Sequence, residues 1–176
     1  PGEKLFLENK PSDAVILVEC EINQEKVNPN LFNYLGLAYY QIGEYDKSVA
    51  VFAKGLSTPG TNKKILSFNQ GNSYFAIKDY KNAISAYSLA WAADANYVEA
   101  LLNRANSYTM NVQYEEAIAD YERFLLLRPN DVQRQQIIDL IKALQRELVR
   151  LEQERIFAEV EAKRIAEEEA RIAEEM

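Results

Sequence analysis

The side chains that most enzymes use for catalysis are scarce in this chain. Its 176 residues include no histidine and one cysteine, Cys20. This inventory excludes imidazole bases, Ser-His-Asp triads, internal disulfides and metal sites built from cysteine and histidine. Acidic residues are plentiful, but none form an evident catalytic pair, and Glu115 with Glu116 fits the solvated first turn of a helix. The sequence therefore predicts a protein that is not an enzyme, with no cofactor and no metal.

The cysteine and two glycines are the remaining candidates for chemistry. Cys20 ends an apolar run that starts at Ala14, which predicts a buried packing thiol and not a reactive one. Gly55 and Gly60 have the spacing of a phosphate-binding loop. However, Thr61 stands where that loop requires lysine, and the preceding segment has a helical pattern. We expect a turn between helices there, and no nucleotide site.

The charge of the chain limits its partners. Twenty Lys and Arg residues stand against 27 Asp and Glu residues, and residues 147–176 alone hold 10 Glu against 5 Lys or Arg. Because no excess of positive charge is available to neutralise phosphates, we expect neither nucleic acid nor anionic lipid as a partner. The chain begins at Pro1 without a signal-like apolar segment, which suggests a fragment or a processed product. We expect a soluble protein without membrane insertion; its compartment, cytoplasm or periplasm and cell envelope, stays open.

A repeat of 34 or 35 residues organises most of the chain. Gly36, Gly71 and Ala105 are separated by 35 and then 34 residues. The same two steps relate four further columns of residues: Tyr39, Tyr74 and Tyr108; Tyr45, Tyr80 and Tyr114; Ser48, Ala83 and Ala117; Phe52, Tyr87 and Tyr121. Repeats of this length indicate a stacked array of small structural units.

Each repeat contains two helices, according to its apolar spacing. Apolar residues recur every three or four positions, which places them on one face of a helix. In the third repeat, Leu101, Ala105 and Tyr108 form one stripe, and Ala117 and Tyr121 belong to the next. No strand-like alternation interrupts the pattern, so the predicted fold class is all-α.

These columns resemble the tetratricopeptide repeat family, whose pattern is W-x2-L-G-x2-Y, then A-x3-F, then P. The matching positions are Leu35-Gly36-x2-Tyr39 with Phe52, Gly71-x2-Tyr74 with Ala83-x3-Tyr87, and Tyr108 with Ala117-x3-Tyr121 and Pro129. The resemblance implies a right-handed superhelical stack of antiparallel helix pairs, an α-solenoid. Small residues in the Gly36 column would let the paired helices approach closely beside the Phe52 column.

The repeat divides the chain into four regions. Residues 1–28 are expected to form a partial N-terminal helix pair. Residues 29–130 hold three units, about 29–63, 64–97 and 98–131. Residues 131–151 are expected to form a helix that caps the stack, because repeat arrays need a cover for their last apolar face. Residues 152–176 form a charged helical extension.

The C-terminal segment leaves two interpretations open. It contains no Gly or Pro after Pro129, and a coiled-coil register through Ile141, Leu144 and Leu148 continues to Ile165 and Ile172. Other positions of that seam, such as Arg155 and Glu169, are polar or charged. The segment is either a solvated single helix or a homodimer interface through residues 137–172.

The family resemblance also implies a binding surface. In tetratricopeptide repeats the first helices of successive units line a concave groove, where an extended peptide of another protein commonly binds. The positions that correspond in this sequence are Asn33, Tyr34, Leu37, Tyr40, Phe68, Asn69, Asn72, Phe75, Leu102, Asn103 and Asn106. The expected function is a non-catalytic protein-protein interaction scaffold. The alternative is a structural assembly protein that self-associates through the stack and the C-terminal helix.

Asparagine recurs in this groove, at Asn69 with Asn103 and at Asn72 with Asn106. An amide offers donors and an acceptor, so it can bond a peptide backbone without selecting side chains. The same amides would otherwise satisfy helix ends, turns or water. Glu99 and Asn103 stand where the carboxylate-clamp subclass carries cationic side chains, so we expect little attraction for a free C-terminal carboxylate.

Overall fold

The computed structural model describes residues 1–24 and 27–175, and their regular structure is entirely helical. The helices are α1 (Gly2–Leu7), α2 (Pro11–Glu21), α3 (Leu31–Gln41), α4 (Tyr45–Leu56), α5 (Lys63–Ala76), α6 (Tyr80–Ala93), α7 (Val98–Met110), α8 (Tyr114–Leu127) and α9 (Arg134–Glu175). The prediction of an all-α fold is confirmed. The chain divides into two compact units, Pro1–Arg128 with α1 to α8, and Pro129–Met176 with α9.

In the first unit, helices that follow one another in the chain pack together. Each helix from α1 to α7 contacts the next one, and α3 also contacts α1 and α5. The first helices of successive pairs are therefore neighbours. This arrangement is a stack of helix pairs in which each pair covers the apolar face of the one before it.

The same tight turn joins the two helices of all four pairs. Its central residue has a positive φ of 60° to 82° at Asn9, Gly43, Lys78 and Val112, which follow one another at the repeat spacing. The next residue donates its backbone N–H to a carbonyl five positions earlier, as from Glu44 to Tyr39 at 2.9 Å. Such a bond satisfies a free carbonyl at the helix end. Gly43 and Asn9 are residue types that adopt this backbone conformation readily, whereas Lys78 and Val112 are not.

Close helix contacts occur at the small residues that the repeat predicts. A Cβ atom added to Gly71 would lie 2.6 Å from Cε1 of Tyr87, and one added to Gly36 would overlap the ring of Phe52. The prediction that the Gly36 column allows close approach beside the Phe52 column is confirmed. Gly2 makes the equivalent contact with Val18, 34 residues before the Gly36 pair, so α1 and α2 follow the repeat geometry.

Two predictions for possible reactive sites need correction. Cys20 is exposed and not buried, because α2 turns only Ala14, Val15 and Val18 inward and leaves the opposite side of its apolar run in solvent. Gly55 is not a turn residue; it lies inside α4, where an added Cβ would clash with Leu66 and Phe32. Gly60, with a φ of 82°, does lie in the turn between units.

The second unit consists of one long helix. The 42 residues of α9 span about 63 Å at 1.5 Å per residue. Ion pairs run along its surface, with Arg150, Arg155 and Arg164 each bound to a glutamate three residues earlier. Because the side chains of these pairs are exposed to solvent and screened by salt, each pair contributes little to helix stability. Capping by residues 131–151 and self-association through residues 137–172 stay predictions.

Candidate functional site

The first helices carry the predicted groove residues, and five of these surround one cavity. The cavity has a volume of about 180 Å³. It is lined by Tyr40 from α3, Asn72 and Phe75 from α5, and Asn103 and Asn106 from α7, with Tyr87 from α6 as a further wall. The contacts between successive pairs therefore bring side chains from three repeats to one place.

The asparagines of the cavity are bound to other side chains. Asn72 Oδ1 accepts a hydrogen bond from Tyr87 Oη at 2.8 Å and a second one from Asn103 Nδ2 at 3.1 Å. Asn106 Oδ1 accepts a hydrogen bond from Tyr121 Oη at 2.6 Å. The amides thus link α5, α6, α7 and α8. Their oxygens bond to side chains of other helices and not to backbone groups at helix ends. Part of each amide is still available, because an amide nitrogen carries two N–H donors.

Aromatic rings form the apolar walls. The ring of Tyr40 packs edge-on against Tyr45 at a centroid distance of 5.2 Å, and Phe75 packs in the same way against Tyr80 at 5.4 Å. In both cases the partner is the first residue of the next helix. These edge-on contacts pack each wall ring against the helix that follows it.

Two predicted residues pair with each other outside this cavity. Asn69 Nδ2 donates a hydrogen bond to Asn33 Oδ1 at 2.9 Å, joining α5 to α3. Tyr34 lies beside α1, with its ring centroid 5.7 Å from that of Phe6. The neighbouring carboxylate of Glu3 raises the pKa of the Tyr34 phenol.

The other three predicted residues serve mainly as packing. Phe68 lies between two tyrosines, with centroid distances of 4.9 Å to Tyr97 and 5.7 Å to Tyr87. Leu37 packs against the buried cluster formed by Phe32, Phe52 and Leu66. Leu102 is half-buried on α7 and does not line the cavity.

The cavity is electrically neutral. Its six lining residues are asparagine, phenylalanine and tyrosine, and burial raises the pKa of Tyr87. Burial likewise raises the pKa of Tyr121, so both phenols keep their protons at physiological pH. Glu99, at the start of α7, is exposed and lies 3.7 Å from Arg128. The arrangement can therefore accept polar uncharged and apolar groups.

Tyr87 is the lining residue that the sequence pattern did not predict. Its column suggested a role in packing alone, and the ring does pack against Gly71. A signal for its second role was present, since Tyr87 follows Asn72 by 15 residues and Tyr121 follows Asn106 by the same interval. Within residues 1–24 and 27–175, no group of acidic or cysteine side chains could hold a metal ion, and no helix is long and apolar enough to cross a bilayer.

A stack of antiparallel helix pairs whose first helices share an uncharged, aromatic-walled cavity defines an α-solenoid of the protein-interaction class. Two family models described as tetratricopeptide repeat match residues 68–132 and residues 31–59, together about half of the chain. The chain belongs to the tetratricopeptide repeat family, as the sequence resemblance indicated.

Part of the chain is similar in sequence to a much longer protein. RNA polymerase II-associated protein 3 of Homo sapiens is 33% identical over 96 residues, which are 54% of this chain and 14% of that protein. The chain therefore spans about a seventh of the length of this relative.

Two similar solved structures hold peptides. The first TPR of Spaghetti (RPAP3), bound to the HSP90 peptide SRMEEVD, has a TM-score of 0.61 and 27% identity, and the match covers 69% of this chain and 93% of that one. The second TPR domain of human RPAP3, in complex with the HSP70 peptide SGPTIEEVD, has a TM-score of 0.59 and 25% identity. That match covers 65% of this chain and 98% of the other.

Proposed function

We propose that this chain is a non-catalytic interaction module that binds an extended segment of a partner protein across its first helices. The observation that carries the proposal is the neutral cavity lined by Asn72, Asn103 and Asn106 together with Tyr40 and Phe75. The peptide complexes of the two RPAP3 domains support it, because those domains share the helical stack.

An extended peptide suits the chemistry of the cavity. Its backbone alternates N–H donors and C=O acceptors, and side-chain amides can bond both. Its apolar side chains gain free energy when they leave water, and they can pack against the aromatic walls of the cavity. The cavity volume of about 180 Å³ is close to that of engineered cavities of about 150 Å³ that admit benzene. One branched or aromatic side chain of the peptide therefore fits.

The preferred peptide differs from those printed for the RPAP3 domains. SRMEEVD and SGPTIEEVD are acidic and end in a carboxylate. None of the six lining residues is cationic, and Arg128 lies 3.7 Å from Glu99, a carboxylate of this chain. We propose that the module prefers an uncharged internal segment with one large apolar side chain, held without an ion pair.

Peptide titration tests this proposal. Isothermal titration of the module would compare SRMEEVD with heptapeptides selected from a random library for binding to the wild-type chain. We expect the selected peptides to carry a Leu, Phe or Trp and to bind with little dependence on salt, since screening weakens only charged contacts. Selected peptides that are acidic and lose affinity when their C-terminus is amidated would contradict the proposed preference.

Variants locate the binding site. Phe75→Ala and Asn103→Ala change the cavity, whereas Leu89→Ala removes an apolar side chain of α6 that is 58% exposed and does not line it. We expect the first two variants to lose affinity for a selected heptapeptide and the Leu89 variant to keep it. Equal affinity of all three variants would exclude the cavity as the binding site.

A further inference from the structure

In two repeats, a tyrosine hydroxyl donates a hydrogen bond to an asparagine that lies 15 residues earlier in the chain. Asn72 is followed by Tyr87 and Asn106 by Tyr121, both at an interval of 15 residues. At the same interval in the first full unit, Leu37 is followed by Phe52. The hydroxyl is thus present in the two units that carry the amide and missing in the unit that does not.

The bonds of Asn72 fix the orientation of its amide. Its Oδ1 atom accepts from both Tyr87 Oη and Asn103 Nδ2. If the amide were turned by half a rotation, its Nδ2 donors would face the Nδ2 donors of Asn103, and that bond would be lost. Among the residues that the structure describes, no side chain or backbone group accepts a hydrogen bond from Asn72 Nδ2. Its N–H groups are therefore available to the cavity.

In the described part of the chain, Asn106 makes the tyrosine bond of this pair without a second bond from an asparagine. Its Oδ1 atom accepts from Tyr121 Oη at 2.6 Å, and within the described ranges its Nδ2 group donates to no protein atom. Both asparagines line the cavity, while the rings of Tyr87 and Tyr121 are about 1% exposed. A buried phenol that keeps its proton can donate to the amide oxygen, and in both pairs this donation places Oδ1 on the protein side.

We propose that Tyr87 and Tyr121 are positioning residues that hold Asn72 and Asn106 with their N–H donors directed into the cavity. The cavity then selects groups with carbonyl acceptors, as in a peptide backbone, over apolar groups of the same size. This inference rests on the proposed function, because it names the chemistry that the same cavity recognises. It also gives the tyrosines a role beyond filling space beside the small-residue column.

The first test observes the amides without any ligand. Side-chain ¹H–¹⁵N resonances of Asn72 and Asn106 would be assigned from Asn→Ala variants and followed in Tyr87→Phe and Tyr121→Phe. Each variant removes one hydroxyl and keeps the ring. We expect Tyr87→Phe to shift or broaden the Asn72 amide signals, and Tyr121→Phe those of Asn106. Tyr74→Phe is the matched control, since its phenol lies on α5 and bonds no amide among the described residues.

The second test uses two small probes of the cavity. N-acetyl-leucine N-methylamide carries two carbonyl acceptors and one apolar side chain, and toluene offers only apolar surface. Chemical-shift titration would measure both in the wild type and in the variants. Loss of one neutral hydrogen bond lowers affinity by about 2- to 12-fold. We expect that loss for the amide probe in Tyr87→Phe and Tyr121→Phe, and less than about a 2-fold change for toluene.

The outcomes separate the two proposals. A wild-type cavity that binds the amide probe, with Phe variants that bind it equally well, would overturn the positioning role and leave the proposed function standing. Equal weakening of both probes would also overturn it, because a merely structural role for the tyrosines predicts that result. A wild-type chain that binds neither probe nor any selected heptapeptide would overturn the proposed function, and this inference with it.

Discussion

Replacement of Gly71 by alanine tests the packing on which the cavity depends. The added methyl carbon would lie 2.6 Å from Cε1, 2.7 Å from Cδ1 and 2.9 Å from Cζ of Tyr87. Favourable carbon contacts have separations of about 3.5–4.0 Å. The tyrosine ring must therefore move by close to 1 Å, roughly the difference between these distances. Tyr87 is 1% exposed, so the ring has no free space to enter without disturbing its neighbours.

The expected loss of stability is the difference between two effects. Overpacking of a well-filled core costs about 1–3 kcal/mol. Replacing glycine by alanine inside a helix returns about 1 kcal/mol. The net free energy of unfolding should fall by about 0–2 kcal/mol. The displaced ring should also weaken the 2.8 Å hydrogen bond from Tyr87 Oη to Asn72 Oδ1, which orients the cavity amide.

Urea denaturation and peptide titration measure both consequences, and Gly36→Ala is the control. The control overlaps the ring of Phe52, which has no hydroxyl and does not line the cavity. We expect both variants to lose stability but only Gly71→Ala to lose affinity for a selected heptapeptide. A Gly71 variant that is about 1 kcal/mol more stable than the parent would show the helix gain alone, and would refute the close contact with Tyr87.

Three further predictions concern other parts of the molecule. Asp120→Ala should lower the free energy of unfolding by about 3 kcal/mol or more. It removes the carboxylate that Arg104 contacts at 2.6 and 2.7 Å, so the guanidinium loses its charge partner. Urea denaturation measures this, and a loss below about 1 kcal/mol would contradict it. Burial and the neighbouring Glu19 raise the pKa of Tyr39 to about 12 from an unfolded value of 10.0, so its contribution to stability should be complete below pH 10 and disappear as the pH rises toward 12. Alkaline melting curves measure this, and stability that stays constant to pH 12 would be inconsistent with it. Deletion of residues 152–176 should leave the thermal transition of the helix pairs unchanged, and sedimentation of both forms should show whether a dimer depends on that segment.

The sequence predicted the fold well because the fold is a repeat. Equivalent residues recur every 34 or 35 positions and make equivalent contacts in each unit, so the sequence shows the same pattern several times. The contacts of Gly36 with Phe52 and of Gly71 with Tyr87 could be anticipated for that reason. Gly2 was harder to recognise, because its unit has Val18 in place of the aromatic ring and the given sequence shows only Pro1 before it.

The detailed arrangement of the candidate site could not be predicted from the same period. Asn69 bonds to Asn33 across 36 residues, whereas Asn103, the next member of its column, bonds to Asn72 across 31. Asn69 and Asn103 are equivalent, but their partners lie one helical turn apart in the repeat. The reason is that the position of Asn72 is occupied in the earlier unit by Leu37, which cannot accept a hydrogen bond. Hydrogen-bond partners depend on distances of a few tenths of an ångström, which residue spacing alone does not define.

The exposed apolar residues in the middle and in the last part of α9 lie on different sides of the helix. Val149, Ile156 and Val160 follow one another at intervals of seven and four and share one side of the helix. Ile165 and Ile172, which are also half-exposed, form a second stripe, and its first residue lies five positions after Val160. At about 100° per residue, five residues rotate the helix by roughly 140°, so the second pair faces another direction. A second copy could cover one stripe or the other along a straight helix but not both, and the arginines and glutamates between them already pair within the same chain.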